Sequence, residues 1–152
     1  MSIKCEIVSQ DRKVWEGEAD MVVVPGKSGE MGILENHAPL LSTLRPGYIK
    51  VVRGKDEEIF TVTGGVVEVL PDRVTILADA SERVDEIDIK RAEEARKRAE
   101  ELLKQTPPST AEHLAAQAAL MRAKLRLEAV QRFRRGKRRP QVQTGPSEES
   151  GE

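Results

Sequence analysis

Valine and alanine exchange roles at one point in this sequence. Residues 1–84 hold 13 Val and 4 Ala, and residues 85–152 hold 2 Val and 10 Ala. Branched β-carbons suit a pleated, half-buried surface, whereas alanine enters a helix without losing side-chain freedom. The chain therefore reads as a β part over 1–84 followed by a helical part, an α+β arrangement. At 152 residues and 16.9 kDa it has room for one ordinary domain or two very small ones.

Six segments of the first part read as strands: Ile3 to Val8, Met21 to Val24, Tyr48 to Arg53, Glu58 to Thr63, Val66 to Leu70 and Arg73 to Leu77. Turn formers such as Pro25-Gly26, Pro46-Gly47, Gly54-Lys55, Gly64-Gly65 and Pro71-Asp72 arrive at hairpin intervals. An antiparallel β-sandwich or barrel follows. Ile59, Thr61 and Thr63 alternate with Phe60 and Val62, which gives that strand one wetter face. Trp15, Tyr48, Phe60 and Phe133 are the only aromatics, so the core is aliphatic and a large aromatic-lined cofactor cavity is disfavoured.

In the second part Asp85 reads as an N-cap, with Glu86 and Asp88 adding negative charge where a helix dipole favours it. The first helix is expected to end near Gln105, with a seam of Ala92, Ala95, Ala99 and Leu102. Thr106-Pro107-Pro108-Ser109-Thr110 stops it, and a second helix starts near Thr110 or Ala111 with Ala116, Leu120, Ala123, Leu127 and Val130 on one face. A short loop between two amphipathic helices gives an antiparallel two-helix hairpin. At ~25 cal/mol per Å2 an alanine seam stabilises a closed pair far less than a leucine seam. Two readings stand: conditional closure, or a permanently docked pair. The boundaries are 1–84 for the sandwich, 85–135 for the hairpin and 136–152 for a basic-to-polar tail. Gln141 to Glu152, rich in Gln, Ser, Gly, Pro and Glu, reads as disordered.

Several chemical motifs fail on spacing. Gly26-Lys27-Ser28 looks like the end of a phosphate-binding loop, but position 22 is Val where that loop needs Gly, and a turn is the better reading. His37 and His113 are the only imidazoles, too few for a zinc site. His37 lacks a nucleophile or acidic partner at a telling spacing, so it reads as a structural hydrogen-bonder. No catalytic residue and no metal site is expected. Cys5 reads as a buried small hydrophobe in a chain with no disulfide. Lys4 and Glu6 interrupt any signal-like start, and no apolar run exceeds four residues. The expectation is a soluble or peripheral protein with no direct membrane insertion.

The net charge of −1 hides an asymmetry: residues 1–85 carry 10 basic and 15 acidic side chains, and residues 86–152 carry 15 basic and 11 acidic. Arg132, Arg134, Arg135, Lys137, Arg138 and Arg139 form a basic cluster, preceded by Arg122, Lys124 and Arg126. Nucleic acid, a solvated helix end and an acidic protein surface are the three readings. Lack of interleaved aromatics other than Phe133 argues against nucleic acid.

The run Pro25-Gly26-Lys27-Ser28-Gly29-Glu30-Met31-Gly32-Ile33-Leu34, followed by Asn36-His37-Ala38-Pro39-Leu40-Leu41, closely resembles the epsilon subunit of F-type ATP synthases. Phe60 to Val69, Val74 to Asp79, Ser81 to Arg83 and Ile87 to Ala92 continue the match in order. The resemblance implies a non-catalytic rotor-stalk subunit bound to the gamma subunit and the c-ring. It also implies a place at the cytoplasmic face of a bacterial plasma membrane and a part in ion-driven ATP synthesis. It further implies that the hairpin extends into the alpha/beta head and inhibits ATP hydrolysis. Partner contacts are expected at Glu30, His37, Arg122, Lys124, Arg126, Arg132, Arg134 and Arg135. No cofactor is required. Ile87, Asp88, Arg91 and Ala92 are similar to the pattern of relatives that bind ATP in the folded hairpin, and Glu82, Arg98, Arg122 and Arg126 match the accompanying positions. ATP is thereby implied as a regulatory ligand of the closed form. The alternatives are a free-standing nucleotide sensor and a basic nucleic-acid adaptor.

Overall fold

The computed structural model describes residues 1–134. The tail over 136–152 and Arg135 lie outside the described residues. Ten strands come first: β1 (Ile3–Val8), β2 (Lys13–Ala19), β3 (Met21–Gly26), β4 (Gly29–Ile33), β5 (Leu40–Leu44), β6 (Gly47–Arg53), β7 (Asp56–Val62), β8 (Gly65–Val69), β9 (Arg73–Ala78) and β10 (Ser81–Arg83). Pairing runs β2-β1-β9-β8-β5 in one layer and β4-β3-β6-β7-β10 in the other, joined where Gly26 meets Leu44. Asp20 turns the chain between layers from β2 to β3, with its N–H donated to Val52 O at 2.7 Å and its carboxylate accepting the Gly54 N–H at 2.6 Å.

Alternation explains the packing. Ile3, Cys5 and Ile7 of β1 face Val22 and Val24 of β3 and Ile49 and Val51 of β6 across one aliphatic core, all at most 1% exposed. Gly65 is indispensable at the start of β8: its φ is +137°, and a Cβ there would lie 2.1 Å from Leu77 O.

The expected strands all form, but β2, β4, β5 and β10 add to them. β10 has three residues, too short to carry a pattern, and exists through pairing with β7 over Phe60 to Val62. One ladder departs from the antiparallel expectation. β1 runs parallel to β9, with Cys5 opposite Val74. No tight turn joins these two strands, so nothing local fixes their relative direction.

After a 3-10 turn at Val84–Glu86, α1 spans Ile89–Gln105 and α2 spans Ala111–Ala129, ending in a π-helical turn, Val130–Arg134. The cap of α1 is Asp88, whose carboxylate accepts the Arg91 N–H at 3.2 Å, and not Asp85. Val84 and Ile87 are buried, and this anchoring of the connector delays the helix by three residues. Thr110 caps α2 by accepting the His113 N–H at 3.2 Å, while Thr106 closes α1 by donating its hydroxyl to Leu102 O at 2.6 Å. Along the seam Ala92, Ala99, Ala116 and Ala123 are at most 3% exposed. Leu102, expected there, is 49% exposed, and Leu103 turns inward instead. It lies four residues beyond Ala99, on the same helix face.

The hairpin rests on the sandwich. A second apolar cluster joins Val84, Ile87, Ala129 and Val130 to Tyr48, Ile59 and Phe133. The face of β7 expected to be wetter is therefore partly covered: Thr61 is 4% exposed, beside Leu125 of α2.

Candidate functional site

A cleft of about 190 Å3 opens between β7, β10 and α2, lined by Thr61, Thr63, Ser81 and Glu82 on one side and by Arg122, Leu125 and Arg126 on the other. Glu82 Oε2 accepts from Arg126 Nε at 2.9 Å and from Arg126 Nη2 at 2.5 Å. This two-pronged contact ties the last strand to the second helix across 44 residues. Charge assistance shortens such bonds, and partial exposure of both groups keeps their net worth modest. Ser81 Oγ in the same cleft is buried without a hydrogen-bond partner. Thr61 Oγ1 donates to Glu82 O at 3.4 Å.

Helix geometry arranges the other arginines. Arg91, Arg98 and Arg122 each precede a buried alanine (Ala92, Ala99 and Ala123) by one residue. At 100° per residue in an antiparallel pair, all three fall on the same flank of the seam. That flank carries Arg126. Of the residues matched to the nucleotide pattern, the structure thus gathers Glu82, Arg122 and Arg126 in the cleft and sets the exposed Arg91 and Arg98 farther along the flank. Ile87 and Ala92 are buried packing residues, 3% and 0% exposed. Asp88 is occupied as a helix cap and bonds the Arg91 backbone, not its side chain.

The residues expected at partner surfaces are dispersed. Glu30 sits exposed beside the β3–β4 turn, which contains Lys27-Ser28. His37 lies past the opposite end of β4, with Nδ1 2.7 Å from Ala38 O and its backbone N–H donated to Leu34 O at 3.2 Å. Lys124 lines a shallow hollow on the far side of α2 with Leu103 and Glu128.

Arg132 and Arg134 take roles that the sequence did not suggest. The Arg132 guanidinium lies 5.3 Å from the Phe133 ring centre and 5.8 Å from that of Tyr48. Arg134 Nη2 donates to Val84 O at 2.8 Å and to Ile87 O at 2.7 Å. Tyr48 and Phe133 meet edge to face, with centres 4.9 Å apart. Burial, reinforced by the Glu128 carboxylate and opposed by Arg132, pushes the Tyr48 hydroxyl up to about 12. The Cys5 thiol is pushed up to about 12, chiefly by burial and then by Glu6. Both groups are neutral at physiological pH.

Thr61, Ser81, Tyr48 and Phe133 were not foreseen as site residues. The available signal was the Ile59-Thr61-Thr63 face, which a docked helix can cover. Among the described residues no group of three or more His, Cys, Asp or Glu is placed to hold a metal ion, and no helix is long and apolar enough to cross a membrane.

Two family models together match nearly the whole described chain. The beta-sandwich domain of the ATP synthase delta/epsilon chain matches residues 2–84, and its long alpha-helix domain matches residues 85–131. The ATP synthase epsilon chain of Acidithiobacillus ferridurans is 44% identical over 134 residues, covering 88% of this chain and 94% of its own length. That of Dehalococcoides mccartyi is 45% identical over 142 residues, covering 92% and 98%. Among solved structures, a chain of the Euglena gracilis mitochondrial ATP synthase, OSCP/F1/c-ring, has the same fold with a TM-score of 0.69 at 23% identity, covering 86% of this chain and 81% of that one. A chain of the Tetrahymena thermophila mitochondrial ATP synthase central stalk and c-ring gives 0.52 at 18% identity, covering 85% and 96%. Identity at this level over both domains, carried on the same sandwich and helices, makes this chain a member of the ATP synthase delta/epsilon chain family, a family of subunits distinct from the catalytic one.

Proposed function

We propose that the chain is the epsilon subunit of a rotor stalk, bound to gamma and the c-ring at the cytoplasmic face of a bacterial plasma membrane. Its hairpin inhibits ATP hydrolysis when it leaves the sandwich and enters the alpha/beta head. ATP in the closed form opposes that exit. The observation that supports this reading is the cleft in which Glu82 of the sandwich and Arg126 of the hairpin meet beside Arg122. A ligand seated there touches both domains and so binds only while they are together. Such differential affinity is what shifts a two-state population.

The chemistry suits an anion. Arg122 and Arg126 line the cleft together, and a phosphate oxygen competes with Glu82 for Arg126. A cleft of about 190 Å3 takes a phosphate-sized group. Ligand pockets usually start near ~300 Å3, so the nucleoside extends along the open flank toward Arg91 and Arg98. The weak alanine seam then makes closure conditional on what occupies the cleft.

Removal of residues 86–152 from the subunit is expected to raise ATP hydrolysis by the assembled synthase while the sandwich still binds gamma. Unchanged hydrolysis would refute the inhibitory role. Titration of ATP into the isolated chain, and into Arg91→Ala and Arg126→Ala, tests the nucleotide site; absence of saturable binding at millimolar ATP removes it.

A further inference from the structure

We infer that Phe133 and Arg134 form a latch, separate from the nucleotide cleft, that holds the end of the hairpin to both the sandwich and the interdomain connector. The inference rests on the proposed reading of the hairpin as an element that opens.

Three parts of the chain meet at this one place. The sandwich supplies Tyr48 of β6, whose ring meets Phe133 edge to face. The connector supplies two carbonyls, Val84 O at the start of the 3-10 turn and Ile87 O just after it, ahead of α1. The hairpin end supplies one guanidinium nitrogen that donates to both carbonyls, from 50 and 47 residues away in sequence. These carbonyls belong to the segment that must rotate for the hairpin to leave. A donor that bridges them fixes the connector only while the last turn of the hairpin is seated. Charge-assisted donation to partly buried carbonyls is among the stronger hydrogen-bond classes.

Helical spacing makes the arrangement possible. Val130, Phe133 and Arg134 stand at i, i+3 and i+4, the spacing that shares one helix face, and all three turn inward, with Val130 9% exposed and the other two partly buried.

Two fastenings of different character result. The cleft pair of Glu82 and Arg126 can be contested by an anion. The latch, built from aromatic rings and backbone carbonyls, has no anionic group for a nucleotide to displace. It therefore biases closure in the absence of ATP. It also sequesters Arg134, so an acidic partner surface gains that guanidinium only by breaking the latch.

The test uses the full chain with spin labels at Lys55→Cys and Gln117→Cys, both exposed, with the buried Cys5 left in place. Distances are measured by pulsed electron resonance without nucleotide. Arg134→Gln and Phe133→Ala are each expected to raise the open-to-closed ratio at least about tenfold, with circular dichroism of the sandwich unchanged. Arg134→Lys, which keeps the charge but has a shorter reach and no planar guanidinium, is expected to fall between. An Arg134→Gln distribution superimposable on the unsubstituted chain would overturn the latch; if that variant folds poorly, the same result for Arg134→Lys and Phe133→Ala does so. The measurement needs neither ATP binding nor hydrolysis. Failure of nucleotide to bind thus leaves it readable, and failure of the latch leaves the ATP titration readable.

Discussion

Ala123→Leu should open the hairpin while leaving the sandwich intact. Ala123 is 2% exposed and lies in the seam formed with Ala92 and Ala99 of α1, with Ala116 about two turns away on its own helix. Each of these four methyl groups contributes on the order of 0.8 kcal/mol when buried, so the alanine contacts sum to roughly 3 kcal/mol. Forcing three further carbons into such a seam costs about 1 to 3 kcal/mol. The two magnitudes are comparable. The same substitution in the core of the sandwich would be diluted over many larger contacts. Leucine is nearly as good a helix former as alanine, so α2 itself survives. Amide hydrogen exchange followed by mass spectrometry distinguishes the outcomes. The predicted result is loss of protection confined to α1 and α2, with β1, β6 and β9 as slow as before. If Ala123→Leu leaves the helices protected, or if sandwich and helices lose protection together, the argument that a thin seam makes the hairpin separately releasable is wrong.

Other consequences are more local. Asp88→Ala removes the carboxylate that accepts the Arg91 N–H and should cost about 1 kcal/mol of helix stability, read as lower helicity and earlier melting by circular dichroism. Between pH 10 and 12 the contact around Tyr48 should weaken. Its hydroxyl is raised to about 12, so the neutral ring's contribution is intact below 10 and lost as pH climbs through 12. Glu128 and Arg132 face the hydroxyl, Lys50 lies beside Phe133, and Tyr48→Phe should abolish the tyrosine part of the pH effect in ultraviolet-monitored titration. The Cys5 thiol, raised to about 12 from its ordinary 9.0, should resist alkylation at pH 8 in the folded chain and react fully in denaturant; rapid labelling of the native protein would contradict its burial.

Fold class was legible because the relevant signals are short-range. The Val-to-Ala exchange, the Thr106-to-Thr110 interruption and the threonine caps all act within a few residues, and their side chains find the same partners in almost any context. Hairpins at Gly54-Lys55 and Pro71-Asp72 likewise need only their own turn chemistry. The site was legible in part. Glu82, Arg122 and Arg126 were singled out by resemblance and stand together in one cleft, whereas Asp88 proved to be a cap and Arg134 a clamp.

What the residues alone determined was a strand-forming half, a helix-forming half and an alanine-lined pair of helices between polar loops. Tertiary structure decided that β1 inserts parallel to β9, that β10 exists at all, that α1 waits until Ile89 and that Leu103 rather than Leu102 turns inward. It also decided that Thr61 lies beneath a helix and that Arg134 reaches back to Val84. Each of these depends on contacts between segments tens of residues apart. Period and propensity describe which face a segment can offer, but the free energy of burying that face is fixed by the surface it meets.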